Sequence, residues 1–348
     1  MFQNLRIKSV VTLIVAAGAL AGCMSVLESV PMEVIGEREY LEVSAKVGTT
    51  AKSSPACLKN YEKDEEAGFL AWGCSYALND LADRYEFDGD QAAADAFVVV
   101  ADRIVEGYNT DIVDAYRGTV TGGWVSKKYT DGNPHVLAVH TGMIAHPLAR
   151  FATLVAKRGD ARYAENARRY LDTAAAAYRA MEPDWADGSY RSVYTTPHRI
   201  KGSPLPANML ASMGLLAHNL EQAGSSGNYS ARIKQISKRI DDGISSSFSS
   251  GKHKLVWKYD YLSGAEDVSH AILTMRFITV SYERKVITRD RFQLILASFL
   301  NEAVGKGTKT LGTLEGGDGG IDFKSTCRRA LPIYRYSAPT FRRCQAEG

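Results

Sequence analysis

The segment WKYDYLSGAEDVSHAILTMRF, residues 257–277, contains the strongest indication of the fold. From Val268 onward its apolar residues recur at the i, i+3, i+4 and i+7 spacing of a helix, and further apolar residues predict burial on a second face. Glu266 and Asp267 precede this helix, where the first turn favours negative charge, and His270 follows within one turn. The segment therefore predicts a buried helix whose polar start meets an aromatic loop, an arrangement typical of sugar sites.

Pairs of apolar helical segments recur along the chain, and each pair is joined by a short polar turn, as antiparallel helical hairpins require. The last three pairs begin roughly 60–70 residues apart, which indicates a repeat. Helical hairpins that cannot each bury an apolar face do so by stacking. We therefore predict an all-α fold, an α/α-toroid built as an incomplete barrel of stacked hairpins. The predicted pairs are 68–84 with 90–106, 136–157 with 162–180, 206–223 with 229–246, and 267–283 with 288–304.

Long aromatic segments connect the hairpins at 108–134, 182–204 and 248–265. Because the connections inside each hairpin are short, the long ones should collect at one end of the helical array and form a rim. Loops of this length in a compact domain usually carry function. Their aromatic residues are candidate substrate-binding platforms, with core packing as the alternative: Trp124, Trp185, Tyr194 and Trp257.

A polar side chain follows each rim segment, near the start of the next predicted inward helix. These residues are His140 and His146 after the first segment, Asn208 after the second and His270 after the third. Each could instead be a hydrogen-bonded core residue or, for Asn208, a helix cap, and Pro147 is expected to kink the helix near His146. Their recurrence at equivalent positions favours one shared cleft.

Three runs of sequence, NMLASMGLLAHNL, WKYDY and EDVSHAILTMRF, resemble a C-terminal pattern of bacterial carbohydrate-active α/α-toroid proteins. These include the C-terminal domain of D-glucuronyl C5-epimerases and the toroidal lyases of uronate polysaccharides such as glucuronan and alginate. The likeness covers about 136–304, and EDVSH is its most specific part. The resemblance implies a toroid fold and an acidic polysaccharide as the partner.

A uronate lyase must neutralise the sugar carboxylate, remove the C5 proton and protonate the leaving oxygen. His140 and His270 are the candidate bases. Tyr259 or Tyr261 is the candidate acid, and Asn208 is the candidate partner of the carboxylate. A C5-epimerase would begin with the same proton abstraction, so these residues do not separate the two reactions.

Charged side chains complete the candidate substrate site. Arg199 or Arg276 could hold a substrate acid group bidentately, and Glu266 and Asp267 are further candidate contacts. A glycoside hydrolase is the alternative enzyme, and it needs two carboxylates roughly 5–10 Å apart. Because adjacent side chains project differently, the second carboxylate would come from a loop, whereas the simpler interpretation of the acidic pair is helix capping. The loop candidates are Asp131, Asp184 and Asp187. A non-catalytic glycan-binding lipoprotein is the third alternative.

The first 22 residues read as an export signal, because Arg6 and Lys8 precede an apolar run too short to cross a bilayer. The run ends Leu20-Ala21-Gly22-Cys23, which resembles the bacterial lipobox. The resemblance implies acylation of Cys23 and anchoring in the cell envelope, with the periplasmic face of the outer membrane preferred. An ordinary signal peptide cleaved nearby is the alternative.

The formal net charge of +3 is spread without a basic block, so nucleic acid is not an expected partner. Four cysteines remain in an exported chain, which predicts disulfides, and the local pairs Cys57–Cys74 and Cys327–Cys344 are preferred. Without CxxC or histidines at ligand spacing, no metal or cofactor is expected. The predicted organisation is a tether and lead-in at 23–66, the toroid at 67–304 and a cysteine-containing tail at 305–348.

Overall fold

In the computed structural model, which describes residues 32–195, 200–249, 252–258, 266–303 and 323–347, helices alternate along the chain between an inner ring and an outer layer. The inner helices are α1 (Glu37–Val47), α3 (Ser75–Asp88), α5 (Ala138–Arg158), α7 (Ala207–Gln222), α9 (Val268–Glu283) and α11 (Phe323–Tyr334). The outer helices are α2 (Lys59–Asp64), α4 (Gln91–Glu106), α6 (Ala164–Ala180), α8 (Tyr229–Gly243), α10 (Arg289–Ala303) and α12 (Ala338–Glu347). This architecture confirms the predicted α/α-toroid.

The inner ring is closed, whereas the sequence predicted an incomplete barrel. Each inner helix contacts the next, and α11 contacts α1. At this junction the amide of Ile35 donates a hydrogen bond of 2.6 Å to the carbonyl of Arg335. The guanidinium of Arg335 also lies 5.2 Å from the ring centroid of Tyr40, within cation–π range. Helices from the segments assigned to a lead-in and a tail thus complete the ring.

Burial separates the two layers as their sequence patterns require. The inner helix α5 is buried along almost its whole length because it packs against helices on several sides. The outer helix α6 buries a single stripe at helical spacing that includes Ala167, Tyr170, Ala174 and Ala177. The four predicted hairpins are confirmed as α3–α4, α5–α6, α7–α8 and α9–α10, with boundaries that agree to within about a helical turn except at the start of α3.

Two glycines allow close contact between neighbouring inner helices. A Cβ atom placed on Gly142 of α5 would lie 2.4 Å from the backbone carbonyl carbon of Ser212 on α7. A Cβ atom on Gly214 of α7 would lie 2.3 Å from the ring of Phe277 on α9. Side chains at these positions would force α5, α7 and α9 apart.

Short strands and disulfides hold the segments between the helices. β1 (Trp185–Ala186) pairs with β2 (Ser189–Tyr190), and β3 (Ser245–Ser249) pairs with β4 (Lys252–Val256), both antiparallel. The preferred disulfides Cys57–Cys74 and Cys327–Cys344 are confirmed. Within the described ranges, none of the helices combines the length and the apolar character needed to cross a bilayer.

We expect Gly142→Ala to lower the free energy of unfolding by about 1–3 kcal/mol, because its methyl group would meet backbone atoms that cannot rotate away. The measurement is urea unfolding followed by circular dichroism. Gly243→Ala is the matched control, since its Cβ would meet nothing within 4 Å at the exposed end of α8. Equal stabilities of the two variants would contradict the close-packing interpretation.

Candidate functional site

A cavity of about 340 Å³ lies where three inner helices begin. α5 contributes His140, α7 contributes Asn208 and α9 contributes His270, so the structure brings together three of the residues singled out in the sequence. The cavity is thus at the end of the ring where the described parts of the long segments 108–134, 182–204 and 248–265 lead into the inner helices. Side chains from elsewhere complete its polar and aromatic lining: Trp72, Tyr129 and Arg329.

Asn208 carries a buried amide with no partner among the described residues. Its side chain is 1% exposed, and neither its oxygen nor its nitrogen has a hydrogen-bond partner in the described part of the chain. It does not cap α7, whose N-cap is Pro206. Because an unpaired buried amide is costly, its position in a cavity indicates that a ligand or water completes its hydrogen bonds.

His140 is equally buried and lies beside an aromatic ring. Its Nδ1 has no hydrogen-bond partner among the described residues, and its ring centroid is 5.2 Å from that of Tyr129, with the planes at 76°. Burial lowers the pKa of His140 to about 4. The imidazole is therefore neutral near pH 7 and has a nitrogen available to accept a proton or a hydrogen bond.

Asp267 positions His270 at the start of α9. One carboxylate oxygen of Asp267 accepts hydrogen bonds from the amides of Ser269 and His270, at 3.0 and 3.1 Å, and the other contacts Nδ1 of His270. Burial alone would raise the pKa of Asp267, but the hydrogen bonds from His270 and Ser269 lower it to about 2. The ionised carboxylate thus orients the imidazole, whose ring also meets Trp72 edge-on at 5.3 Å.

Glu266 and Trp257 belong to the core and do not line this cavity, contrary to their predicted substrate contact. Glu266 is fully buried and accepts hydrogen bonds from Nε1 of Trp257 and from Oγ1 of Thr274, the latter at 2.9 Å. Burial raises the pKa of Glu266 to about 7. Trp257 is 2% exposed, and its indole is held by this hydrogen bond to Glu266.

Three other predicted platforms also lie elsewhere. Trp124 is buried, and its indole donates a hydrogen bond of 2.7 Å to the carbonyl of Ile104. The ring centroid of Trp185 lies 3.7 Å from the guanidinium carbon of Arg232. Tyr194 stacks on another tyrosine and lines a separate small cavity. Each finds a partner within the protein, so the large aromatic residues of the rim mainly hold the loops.

Arg276 lies deeper in the ring. It lines a deeper cavity of about 200 Å³, together with His146, towards the other ends of the inner helices. Burial lowers the pKa of His146 well below 6.5. The remaining predicted residues lie outside the described part of the chain: Cys23, Arg199, Tyr259 and Tyr261.

Three cavity residues were not singled out as site residues in the sequence. Trp72 lies on a π-helical turn, Leu70–Cys74, a local distortion often found at functional sites. Tyr129 belongs to the aromatic rim segment 108–134, and no other feature of the sequence marked it as a site residue. Arg329 comes from the predicted tail, where no motif marks it.

The loop carboxylates considered for hydrolysis do not reach the cavity. Asp184 is held by Arg117, whose Nε donates to it at 3.1 Å, and Asp187 is 87% exposed beside Arg191. Asp131 is exposed. Among the described residues no carboxylate lines the cavity, and no cluster of at least three His, Cys, Asp or Glu side chains there could hold a metal ion.

Comparison with solved structures finds similar folds in carbohydrate-active enzymes. A family 76 glycoside hydrolase from a bovine Bacteroides thetaiotaomicron strain aligns over 89% of this chain and 70% of its own, at 12% identity and a TM-score of 0.52. A family 76 glycoside hydrolase (mannosidase) of Bacteroides thetaiotaomicron VPI-5482 aligns over 89% and 88%, with the same identity and TM-score. A polysaccharide lyase aligns over 91% and 92%, at 12% identity and a TM-score of 0.48.

No family model and no curated protein matches the chain. At 12% identity the two hydrolase structures show a shared fold, the α/α-toroid.

We expect Glu266→Gln to stabilise the protein at about pH 8 by up to about 3 kcal/mol and to have little effect at about pH 5. The folded-state pKa of Glu266, about 7, lies above its ordinary value of 4.5, so the folded state holds the proton more tightly. The free energy of unfolding contributed by this group therefore falls as pH rises through that range. Glutamine resembles the protonated acid and does not ionise, so the variant keeps its free energy of unfolding as the pH rises.

The measurement is urea unfolding of both proteins at the two pH values. The control is Glu165→Gln, since this side chain is exposed on α6 and should change stability by only about a few tenths of a kcal/mol at either pH. A stability gain that does not depend on pH would show that burial of the charge is not its cause.

Proposed function

We propose that this chain is a polysaccharide-active enzyme that cleaves a uronic-acid-containing polysaccharide by β-elimination. The observation that carries the proposal is the buried amide of Asn208, which has no hydrogen-bond partner among the described residues and shares one cavity with the imidazoles of His140 and His270. An amide can donate a hydrogen bond to a sugar carboxylate, and an imidazole can take up and release a proton.

Asn208 is assigned to the substrate carboxylate, with the cation of Arg329 in the same cavity. As the proton leaves C5, negative charge spreads onto that carboxylate, and hydrogen bonds aimed at the charge lower the barrier. The C5–H bond breaks, a C4–C5 double bond forms and the C4–O bond breaks, so no external oxidant or reductant is needed.

His270 is assigned as the base because the carboxylate of Asp267 at its Nδ1 stabilises the imidazolium formed when the other ring nitrogen takes the proton. Neutral His140 is the second candidate for this step. Tyr129 is assigned to protonate the leaving oxygen, since it is the tyrosine that lines the cavity in the described part of the chain. A C5-epimerase would share the first step and return the proton to the other face.

Glycoside hydrolysis is the second candidate function. Asp267 is ionised, whereas adjacent Glu266 has a pKa of about 7, and hydrolysis uses one ionised and one protonated carboxyl group. The two family 76 structures with this fold are hydrolases by name. The position of Glu266 counts against hydrolysis, because this residue is fully buried just before α9 and does not line the cavity.

The test is incubation of the mature protein with alginate, glucuronan, heparosan and pectate. A lyase raises the ultraviolet absorbance through the new double bond. A hydrolase forms reducing ends without that absorbance, and a glycan-binding protein retains a polymer without either change. A folded protein that leaves all four polymers intact would contradict the lyase assignment.

In the same assay we expect Asn208→Ala to reduce turnover by about 10²-fold or more, the size expected for loss of one donor to the developing charge. Its stability should be unchanged or higher, because the substitution removes a buried amide that has no hydrogen-bond partner among the described residues. Asn219→Ala is the matched control, since Asn219 lies on the same helix but lines the deeper cavity. Lost stability with retained turnover would identify Asn208 as a packing residue.

We also propose that the chain is exported and held at the outer membrane by acylated Cys23, on the basis of the lipobox-like run that ends at this residue. Radiolabelled palmitate should be incorporated into the protein in cells but not into Cys23→Ser. Labelling that survives this substitution would contradict lipid attachment at Cys23.

A further inference from the structure

A second cavity, of about 330 Å³, adjoins the candidate site. The two cavities share Trp72 and Tyr129, which stand between them. Phe69 and Lys128 form part of the wall of the second cavity, and Cys57 of the disulfide also lines it. A sugar chain bound beside His270 that continues past Trp72 would therefore enter this space.

We propose that this second cavity is a further sugar subsite, which binds an acidic residue of the polysaccharide next to the one at the reacting bond. The inference rests on the proposed function for the choice of a polysaccharide. It adds the place where the neighbouring sugar binds and the group that recognises its charge.

The cavity presents apolar ring surface suited to a sugar. Phe69 and Trp72 are half-buried, so part of each ring remains exposed. The backbone next to Trp72 is uncovered at Gly73, where a Cβ atom would meet nothing within 4 Å. The C–H face of a pyranose can lie against such a surface while its hydroxyl groups remain in water.

Lys128 supplies a cation that no carboxylate of the described chain neutralises. Its Nζ lies 5.6 Å from the ring centroid of Phe69 and 5.9 Å from that of Tyr129. Glu66 also lines this cavity, and its carboxylate is already engaged, because it accepts hydrogen bonds from the backbone amides of Gly68 at 3.1 Å, Lys127 at 2.8 Å and Lys128 at 3.0 Å. The ammonium is therefore available to the carboxylate of a bound uronate.

The walls of the subsite are held in place before any sugar binds. The disulfide Cys57–Cys74 ties the segment Ser54–Leu58 to the end of the π-helical turn that carries Trp72. Glu66 ties the backbone of Lys128 to the start of the same helical segment. Preorganised walls lose little conformational entropy on binding, which favours affinity.

The experiment compares Lys128→Gln with Lys127→Gln. Both lysines are exposed neighbours, but only Lys128 lines the cavity. Binding is measured by titration calorimetry with disaccharides and tetrasaccharides of alginate, glucuronan, heparosan and pectate, and with a carboxyl-reduced tetrasaccharide of each. Ultraviolet absorbance is recorded in parallel to follow elimination.

We expect Lys128→Gln to weaken binding of an acidic tetrasaccharide by about five- to tenfold, as for loss of one partly exposed charge-assisted hydrogen bond. Binding of the disaccharide and of the reduced tetrasaccharide should not change, and Lys127→Gln should bind as the unmodified protein does. Equal effects of the two substitutions, or tetrasaccharide binding that does not depend on Lys128, would overturn the subsite.

Failure of the subsite and failure of the proposed function give different results. Elimination that proceeds with no dependence on Lys128 overturns the subsite alone. Binding that depends on Lys128 without elimination supports the subsite and counts against the lyase. If no acidic tetrasaccharide binds, both are overturned.

Discussion

At Gly142 the backbone of α5 lies against α7 at Ser212, and this contact sets how closely these two inner helices pack. Gly214 brings α7 equally close to Phe277 of α9. Because interiors are close-packed, helices in such contact have little freedom to shift or rotate. The side chains at their starts therefore face one space, and this places His140 within the same cavity as residues of α7 and α9.

The cavity retains polar groups that the described part of the chain leaves without hydrogen-bond partners. The amide of Asn208 and Nδ1 of His140 have no hydrogen-bond partners in the described chain, and each such group costs about 1–3 kcal/mol when it is buried. In contrast, Asp267 is fully engaged with the start of α9 and with His270. The site thus combines one group fixed by hydrogen bonds with others that are left free for a ligand.

Buried charges hold the rim segments in place. Asp114 accepts the amide of Val136 at 2.9 Å and lies 2.7 Å from Nδ1 of His135. Arg117 bridges Asp114 to Asp184, so that two long segments are joined by one ion-pair network. Removing one member of a buried network leaves an uncompensated charge. This network explains why long segments can present side chains at defined positions.

The sequence by itself determined the helical hairpins and their stacking, because periodicity and local spacing act over a few turns of chain. It favoured the local disulfide pairs, which the structure then confirmed. It also indicated that His140, Asn208 and His270 would share a site, since each follows a long loop at the start of an inner helix. Only the tertiary structure decided which aromatic residues face the cavity: Trp124 is buried, whereas Trp72 is in the lining. Ring closure by α1 and α11 was likewise a tertiary outcome. The reason is physical: a periodic pattern reports that a face is buried, but its partner depends on contacts between residues far apart in the chain.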